Sequence, residues 1–458
     1  METQTASKFH VLLVPYPGQG HVNPMTQFAR RLVSKGLEAT LVVSIFIAKS
    51  MKLGSSVGPV QLDVISDGYD DGGFPKANSV DTYLERLKAA GSRTLADLIM
   101  KYEKTPNPID CVIYEPFLPW ALDVAKEFGL LGAAFFTQPC AVDYIYYNIQ
   151  HKLLSLPISS TPVSIPGLPL LELRDLPSFA RLPDSYPAYA EMLISQFSNA
   201  DKADFVLINT FYKLEPEAVD TMSKVCPVLT IGPTVPSIYL DKRIEDDDDY
   251  GVDLFPLDAS VSSNWLSSKP ERSVVYLSFG SLSGLSDNQM EELLWGLKRS
   301  NFYFLWVIRA TEEAKLPKTF KENLGDKGLI VNWSCQVKLL TNKAVGCFLT
   351  HCGWNSTIEA ISLGVPMVAM PLWSDQPANA KLVEDVWKVG IRVKVDEEKG
   401  IVLRDEIEFC IREIMEGEKG KEVKKNVEKW SELAIEAVSE GGTSDKNIDQ
   451  LVSKLVKT

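Results

Sequence analysis

Short apolar runs alternate with amphipathic stretches along the first half of the chain. The run from Phe9 to Val14 predicts a strand, and the apolar spacing from Pro24 to Lys35 predicts a helix after the loop PYPGQGHVNP. Asn23 is a candidate N-cap for that helix, with Pro24 at its first position. Further apolar runs predict strands at 37–44, 111–114, 133–136 and 204–210. Strands that alternate with helices in this way indicate a parallel sheet covered on both faces.

The same alternation resumes in the second half. Apolar runs predict strands at 273–281, 303–309, 329–333, 345–351 and 365–370. Before them, around the acidic run at 245–249, the periodicity lapses for about 25 residues, which is longer than a compact connection needs. We therefore predict an α/β protein with two doubly wound Rossmann-like domains, at 1–237 and 264–440, joined by a linker at 238–263 and followed by a C-terminal helix at 441–458.

Composition and charge exclude several classes of protein. The 458 residues are 45% hydrophobic and 23% charged, which is enough to bury a full interior. No stretch approaches the roughly 20 consecutive apolar residues of a membrane span, and the first ten residues lack the features of a secretory signal. The formal net charge of −13 argues against binding to nucleic acid or an anionic membrane, because both need a positive surface. We expect a cytoplasmic protein without a membrane span.

The cysteines give no sign of a metal site or of disulfide bonds. Their number, seven, is odd, and they lie scattered through apolar segments without the spacing of metal ligands. This usage is typical of reduced thiols that pack as small hydrophobic groups. The sequence therefore predicts neither a disulfide nor a zinc ion.

Most of the candidate chemistry lies in one segment, from Trp333 to Gln376. There the predicted strand at 345–351 leads through a turn at 352–355 into a helix that begins at Ser356. A helix N-terminus at the carboxyl end of a parallel strand offers free N–H groups and a positive dipole, which suit a diphosphate. Taken alone, Ser356 and Glu359 also fit an ordinary capping box.

This segment resembles the signature box of plant family 1 glycosyltransferases, which use UDP-sugars, and the likeness extends over essentially the whole chain. His351, Trp354, Asn355 and Ser356 stand at the family's offsets from its first and last residues. The stretches FFTQPCAVDYIYY and SIYLDKRI are most similar to the salicylate and anthranilate type. The resemblance implies the GT-B architecture: an N-terminal acceptor-binding domain and a C-terminal UDP-sugar-binding domain facing across a cleft, with the last helix returning to the first domain. It also implies a monomer.

The resemblance implies a role for each residue of the donor site. Trp333 would stack on the uracil, and the backbone of Cys335 and Gln336 would pair with its edge. Glu359 would hold the ribose hydroxyls. The phosphates would be bound by Ser281, His351, Asn355 and Ser356.

The sugar site is implied in the same way, by Thr137, Trp354, Asp375 and Gln376. The family associates a terminal glutamine such as Gln376 with glucose, so UDP-glucose is the expected donor. Asp375 equally fits a simple cap for the helix that enters at Pro377. Three positions depart from common family residues: Ser334 in place of Cys, Asn342 in place of His, and Leu372, beside the sugar residues, in place of Gln.

The predicted reacting pair is His21 and Glu115. His21 lies between a strand's carboxyl end and a helix, where the family has its general base, and an imidazole can accept a proton at neutral pH. Glu115 follows the strand at 111–114, where the family usually has Asp, and a carboxylate there would orient the imidazole. Because the side chain is one methylene longer, we expect either a less ideal pairing or an adjusted backbone.

The leading interpretation is an inverting, metal-independent UDP-glucose glucosyltransferase. It would transfer glucose by single displacement to a hydroxyl or carboxyl of a small lipophilic plant metabolite of phenolic, benzoate or terpenoid type. A non-catalytic nucleotide-sugar binding protein is an alternative, which Glu115 in place of Asp favours. A dinucleotide-dependent oxidoreductase is a second, since Gly18 and Gly20 start a G-x-G-x-x-G pattern, but Asn23 stands at its last glycine. The acceptor and the choice between ester and ether product are left open.

Overall fold

The computed structural model describes residues 9–51, 58–158, 160–245, 247, 259–317 and 324–457. The chain divides into two compact units. The first unit comprises Met1–Leu170, Phe179–Leu254 and Glu436–Thr458, and the second comprises Leu171–Ser178 and Phe255–Ile435. This division differs from the predicted boundaries chiefly at Leu171–Ser178, a segment of the first half that packs within the second unit. Residues 246 and 248–258 of the predicted linker lie outside the described residues.

The first unit is built on a seven-stranded sheet in which every pairing is parallel. Its strands, in chain order, are β1 His10–Val14, β2 Glu38–Ser44, β3 Gln61–Ile65, β4 Cys111–Tyr114, β5 Leu131–Phe136, β6 Phe205–Ile208 and β7 Leu229–Thr230. The predicted strands are present, but the apolar pattern missed β3 and β7. The reason is that β3 is an edge strand with Leu62 and Val64 exposed, and β7 is two residues long.

Between β1 and β7 the described residues form the α-helices α1 Gln19–Ser34, α2 Ile45–Ser50, α3 Val80–Glu103, α4 Pro119–Glu127, α5 Cys140–Gln150, α6 Ser178–Arg181, α7 Pro187–Ser195 and α8 Pro216–Met222. The predicted start of the first helix is wrong. Helix α1 begins at Gln19 with Gly18 as its N-cap, so Asn23 is not the cap and Pro24 lies inside the helix. An interior proline is unfavourable, but Val22, Met25 and Phe28 of this helix are fully buried, and this packing offsets the cost. His21 therefore lies in a helical turn and not in a loop.

The second unit is built on a six-stranded parallel sheet. Its strands are β8 Val274–Ser278, β9 Tyr303–Val307, β10 Gly328–Val331, β11 Val345–Thr350, β12 Met367–Ala369 and β13 Gly390–Arg392. The last of these was not predicted, because three residues give too short an apolar run. Its helices are α9 Ala259–Ser267, α10 Asp287–Ser300, α11 Ala310–Glu313, α12 Gln336–Leu340, α13 Trp354–Ser362, α14 Gln376–Lys381 with a π-helical continuation Leu382–Val386, α15 Arg404–Glu416 and α16 Glu418–Val438.

Strand order fixes where a ligand can bind in each unit. The orders are β3-β2-β1-β4-β5-β6-β7 and β10-β9-β8-β11-β12-β13, so the direction of winding reverses between β1 and β4 and between β8 and β11. At such a reversal the loops diverge beyond the carboxyl ends of the strands and leave a crevice. The predicted α/β class with two doubly wound sheets is confirmed. Within the described residues no helix is long and apolar enough to cross a membrane.

The last helix, α17 Thr443–Lys457, packs on the first unit. Ile448, Leu451 and Leu455 are buried in the same core cluster as the strands of the first sheet. Ser444 lies inside the first turn, and its hydroxyl donates to the carbonyl of Gly232 at 2.6 Å. The helix is thus held by its apolar face and by a polar contact near its start.

Two carboxylates of α17 bind the same ammonium group from different environments. Lys35 Nζ lies 2.6 Å from Asp445 Oδ1 and 2.7 Å from Asp449 Oδ1. The Asp445 side chain is only 4% exposed and also pairs with Arg243, whereas that of Asp449 is 53% exposed. The buried carboxylate should therefore contribute more to stability than the exposed one.

We expect Asp445→Asn to destabilise the first unit by about 1–3 kcal/mol, because it removes a buried charge that pairs with both Lys35 and Arg243. The matched variant Asp449→Asn should leave the stability nearly unchanged. Urea unfolding followed by fluorescence measures both, and equal effects of the two variants would contradict this reading of the cluster.

Candidate active site

The first group of site residues lies where β1 meets β4. His21 is in the first turn of α1, shortly beyond the end of β1, and Glu115 directly follows β4. Oε1 of Glu115 lies 2.5 Å from Nδ1 of His21. The backbone N–H of Tyr16 donates to Oε2 at 2.9 Å, and the hydroxyl of Thr137, just beyond β5, donates to Oε1 at 2.7 Å. The longer side chain of glutamate therefore reaches the imidazole, and two further donors fix its carboxylate.

Burial separates the two partners of this pair. The Glu115 side chain is 1% exposed, whereas that of His21 is 20% exposed. A carboxylate that accepts from Nδ1 selects the tautomer in which Nε2 carries the lone pair. Within the described residues Nε2 of His21 has no hydrogen-bond partner. The geometry thus leaves one ring nitrogen able to take up a proton from a ligand.

Aromatic rings flank the imidazole. The centroid of Tyr16 lies 5.2 Å from that of His21 in an edge-on arrangement, and the centroid of Phe117 lies 5.4 Å away at a tilted angle. These rings limit the directions from which the imidazole can be approached and give its surroundings apolar character. Neither residue was predicted to belong to the site, although both adjoin predicted strands.

Thr137, which was predicted to bind the sugar, contacts the reacting pair in this structure. Its hydroxyl donates to Glu115 and lies 3.2 Å from Nδ1 of His21, so it belongs to the same cluster as the reacting pair. Its contact with a sugar stays a prediction.

In the second unit, the turns after β8 and β11 meet around His351. This side chain is buried, and a Cβ placed on Gly280 or Gly353 would come within 2.7 or 2.5 Å of its Nε2. Glycine is thus required at both positions for the imidazole to fit, and Gly280 also has a φ of +74°. Burial lowers the pKa of His351 to about 4, so the ring is neutral at physiological pH. It can act as a hydrogen-bond donor without adding charge.

The helix after β11 begins at Trp354, two residues before the predicted start at Ser356. Gly353 is the N-cap of α13, and Cys352 before it has a left-handed φ of +62°. The capping-box interpretation of Ser356 and Glu359 is therefore wrong, because Ser356 occupies the third helical position. Asn355 and Ser356 lie in the first turn, where N–H groups have no partner within the helix.

A glutamine side chain that the sequence analysis did not select holds this helix. The amide Nε2 of Gln336 donates to Ser356 Oγ at 2.9 Å and to Glu359 Oε2 at 2.8 Å. Its Oε1 accepts from the buried hydroxyl of Tyr276, on β8, at 3.0 Å. Only the Gln336 backbone was predicted to matter. The side chain connects three segments that are distant in sequence, so local pattern gives no signal for it.

The turn before α14 carries the predicted sugar residues. Oε1 of Gln376 accepts from the backbone N–H groups of Leu372 and Trp373 at 2.9 and 3.0 Å, so its Nε2 is the group left to donate. Asp375 occupies the N-cap position but makes no side-chain cap. Its Oδ2 instead accepts from Asn379 Nδ2 at 2.6 Å, and the same amide donates to the carbonyl of Cys352 at 2.8 Å. The simple-cap interpretation of Asp375 is therefore wrong.

The remaining predicted residues lie at strand ends of the second sheet. Trp333 is half-buried after β10, Cys335 is the N-cap of α12, and Ser281 is half-buried after β8. The indole of Trp354 is buried and its centroid lies 6.0 Å from that of Trp387, and its backbone N–H is at the first helical position of α13. The side chain of Leu372, a departure from the family pattern, packs against the core of this unit.

The described part of the chain contains no cluster of His, Cys, Asp or Glu side chains arranged to hold a metal ion. All seven cysteines are free thiols.

Comparison with known proteins gives the same assignment over most of the chain. Residues 254–436 match the family described as UDP-glucoronosyl and UDP-glucosyl transferase. The chain is 55% identical to UDP-glycosyltransferase 74F2 and 54% identical to flavonol 7-O-beta-glucosyltransferase UGT74F1, both from Arabidopsis thaliana, over 97% of its length and 98% of theirs. Among solved structures it is similar to Os79 from O. sativa in complex with UDP, with 41% identity, a TM-score of 0.93 and coverage of 97% of this chain and 100% of the other.

The chain belongs to the plant family 1 UDP-glycosyltransferases, in the UGT74 group, and has their GT-B fold of two Rossmann-like domains. It is therefore an enzyme of the UDP-glycosyltransferase class. This assignment excludes the two alternative functions, a dinucleotide-dependent oxidoreductase and a non-catalytic binding protein. The two relatives are named as transferases, and their similarity to this chain extends over 98% of their length.

The buried neutral state of His351 predicts a pH-dependent stability. The unfolded chain takes up a proton near pH 6.5, but the folded protein does so only near pH 4. The free energy of unfolding is therefore not reduced by His351 above pH 6.5. As the pH falls from 6.5 to about 4, protonation of His351 in the unfolded chain lowers it by at most about 1.4 kcal/mol per pH unit. Urea unfolding between pH 7 and 4.5 should show a shallower pH slope in His351→Gln than in wild type. Equal slopes would contradict the neutral buried imidazole.

Proposed function

We propose that this protein transfers glucose from UDP-glucose, with inversion, to a hydroxyl or carboxyl group of a small lipophilic plant metabolite. The observation that carries the proposal is the buried Glu115 carboxylate, 2.5 Å from Nδ1 of His21 and held by two further donors. This arrangement suits a general base, because it fixes the tautomer and stabilises the imidazolium that forms during the reaction.

The proposed reaction is a single displacement. Nε2 of His21 takes the proton of the acceptor hydroxyl as its oxygen attacks the anomeric carbon. The bond from that carbon to the UDP oxygen breaks as the new glycosidic bond forms, so the configuration inverts. Attack through one transition state needs no covalent enzyme intermediate. His21 supplies the base, and the carboxylate of Glu115 orients it.

The donor half rests on the second unit. We propose that Trp333 stacks on the uracil, that the backbone of Cys335 and Gln336 pairs with its edge, and that Glu359 binds the ribose. The diphosphate would be bound by Ser281, His351, Asn355 and Ser356. Neutral donors at a helix N-terminus suit a protein whose formal net charge is −13, because they bind an anion without a basic surface.

The sugar would be held by Asp375, by the Nε2 of Gln376, by the backbone N–H of Trp354 and by Thr137. Support for glucose comes from Gln376, whose Oε1 is already bound to the backbone and whose orientation is thereby fixed. The relative UGT74F1 is named as a flavonol glucosyltransferase, which is consistent with this donor.

The rings of Tyr16 and Phe117 beside His21 support an aromatic or otherwise lipophilic acceptor. A phenol must lose its proton during attack, whereas a carboxylic acid is already ionised at neutral pH. The same site can therefore form glucosides with help from His21 and glucose esters largely without it. We propose that both products are accessible, with the salicylate and anthranilate type as the nearest model for the acceptor. Free thiols at all seven cysteines support the cytoplasm as its compartment.

A pair of acceptors tests the role of His21. We expect His21→Ala to lower kcat/KM for a simple phenol by about 10²- to 10⁴-fold, because the base is lost. Transfer to benzoate should fall far less, and the affinity for UDP, measured by calorimetry, should stay as in wild type. Equal phenol kinetics in wild type and variant would exclude the proposed base, whereas a loss of UDP affinity would indicate a damaged fold.

A further inference from the structure

The segment Leu171–Ser178, which we call the strap, lies in the first half of the sequence but packs within the second unit. In chain order it falls between β5 and β6 of the first sheet. The proposed reaction assigns it no role. Its contacts converge on α14, the helix that begins at Gln376.

A buried carboxylate anchors the strap. The Asp175 side chain is 1% exposed, and its Oδ1 lies 2.6 Å from Nη1 of Arg392 on β13. Nη2 of the same arginine donates to the carbonyl of Arg174 at 2.9 Å. Oδ2 of Asp175 lies 3.6 Å from Nζ of Lys381, the last residue of α14. Leu171 and Leu176 are also buried, so polar and apolar contacts together fix the strap.

The strap ends on the turn that carries the sugar residues. The backbone N–H of Ser178 donates to the carbonyl of Ser374 at 2.8 Å. Ser374 has a left-handed φ of +61°, which is strained for a residue other than glycine and persists only where surrounding contacts impose it. The next two residues are Asp375 and Gln376. The strap therefore contacts α14 at both ends, through Ser374 just before it and Lys381 at its end.

We propose that the strap is a positioning element for the sugar end of the donor. This inference rests on the proposed roles of Asp375 and Gln376. One other contact to the turn comes from within the sequence of the second unit: the indole N–H of Trp373 donates to Ser283 Oγ at 3.1 Å. The hydrogen bond from the strap helps to hold the strained turn at Ser374 in place. Loss of this contact should therefore displace the neighbouring Asp375 and Gln376.

The proposed uridine and phosphate contacts lie at other strand ends. Trp333 follows β10 and His351 follows β11, whereas the strap contacts residues that follow β12 and lie on β13. A change in the strap should therefore affect UDP-glucose more than UDP. A merely structural role would weaken both ligands together.

Two substitutions at one position isolate the contact. Ser178 is the first residue of α6, a position where the helix itself tolerates proline. Ser178→Pro therefore removes the N–H that binds Ser374 and places a ring CH₂ against that carbonyl, which breaks the contact. Ser178→Ala is the matched control, since it keeps the N–H and removes a hydroxyl that has no partner within the described residues.

Calorimetry with UDP and with UDP-glucose, together with steady-state kinetics, measures the effect. We expect Ser178→Pro to raise the ratio of the UDP-glucose to the UDP dissociation constant and to lower kcat, each by about 10- to 100-fold, because a displacement of about 1 Å costs that much. Affinity for UDP should stay within about twofold of wild type. Ser178→Ala should behave as wild type.

A second variant guards against a proline that perturbs folding. Asp175→Asn keeps the shape of the anchor and removes its charge, and Asp405→Asn removes an exposed carboxylate that pairs with Arg299 on the same unit. We expect Asp175→Asn to raise the ratio of the UDP-glucose to the UDP dissociation constant, and Asp405→Asn to leave it unchanged. Equal losses of UDP and UDP-glucose affinity, or an unchanged ratio in both strap variants, would overturn the proposal.

Gln376→Ala distinguishes failure of the strap from failure of the proposed function. If Gln376→Ala raises the ratio but the strap variants do not, the strap has no positioning role. If Gln376→Ala leaves the ratio unchanged, the proposed sugar contact is wrong, and the role of the strap falls with it.

Discussion

The hydrogen bond between the Glu115 carboxylate and Nδ1 of His21 is the interaction on which the proposed chemistry depends. The carboxylate is buried and accepts from Tyr16 and Thr137 as well, so its position is determined from three directions. Strand order explains why these groups meet, because β1 and β4 are neighbours at the point where the winding reverses. A longer acid than the family's usual aspartate is accommodated because the backbone of Tyr16 offers it a second fixed donor.

The second unit solves a different problem, which is to bind an anionic donor in an acidic protein. We propose that it uses a helix N-terminus and neutral side chains for this, and burial between two glycines keeps the His351 imidazole uncharged. Left-handed backbone at Cys352 and Ser374 shapes the two turns, each at the end of a strand. Such strained positions persist where surrounding contacts impose them, here the Asn379 amide at the Cys352 carbonyl and the strap at that of Ser374.

The sequence predicted the two parallel sheets because the apolar runs of β4, β5 and β11 are bounded by loops and alternate with helical segments. It placed the start of α1 wrongly because Asn23 and Pro24 imitate a helix start, and it placed the start of α13 at Ser356 because the true N-cap, Gly353, carries no side chain. The pairing of His21 with Glu115 was predicted from motif position. The Gln336 side chain and the strap were not, since both act through contacts between segments distant in sequence, which no local pattern encodes.

The tautomer of His21 tests the central claim most directly. The chain has four histidines, so ¹⁵N NMR of the ring nitrogens is tractable, with His21→Ala supplying the assignment. For the neutral imidazole we predict a proton on Nδ1 and a lone pair on Nε2 in wild type, and a loss of that preference in Glu115→Gln. A proton on Nε2 in wild type, or the same tautomer in both proteins, would contradict it.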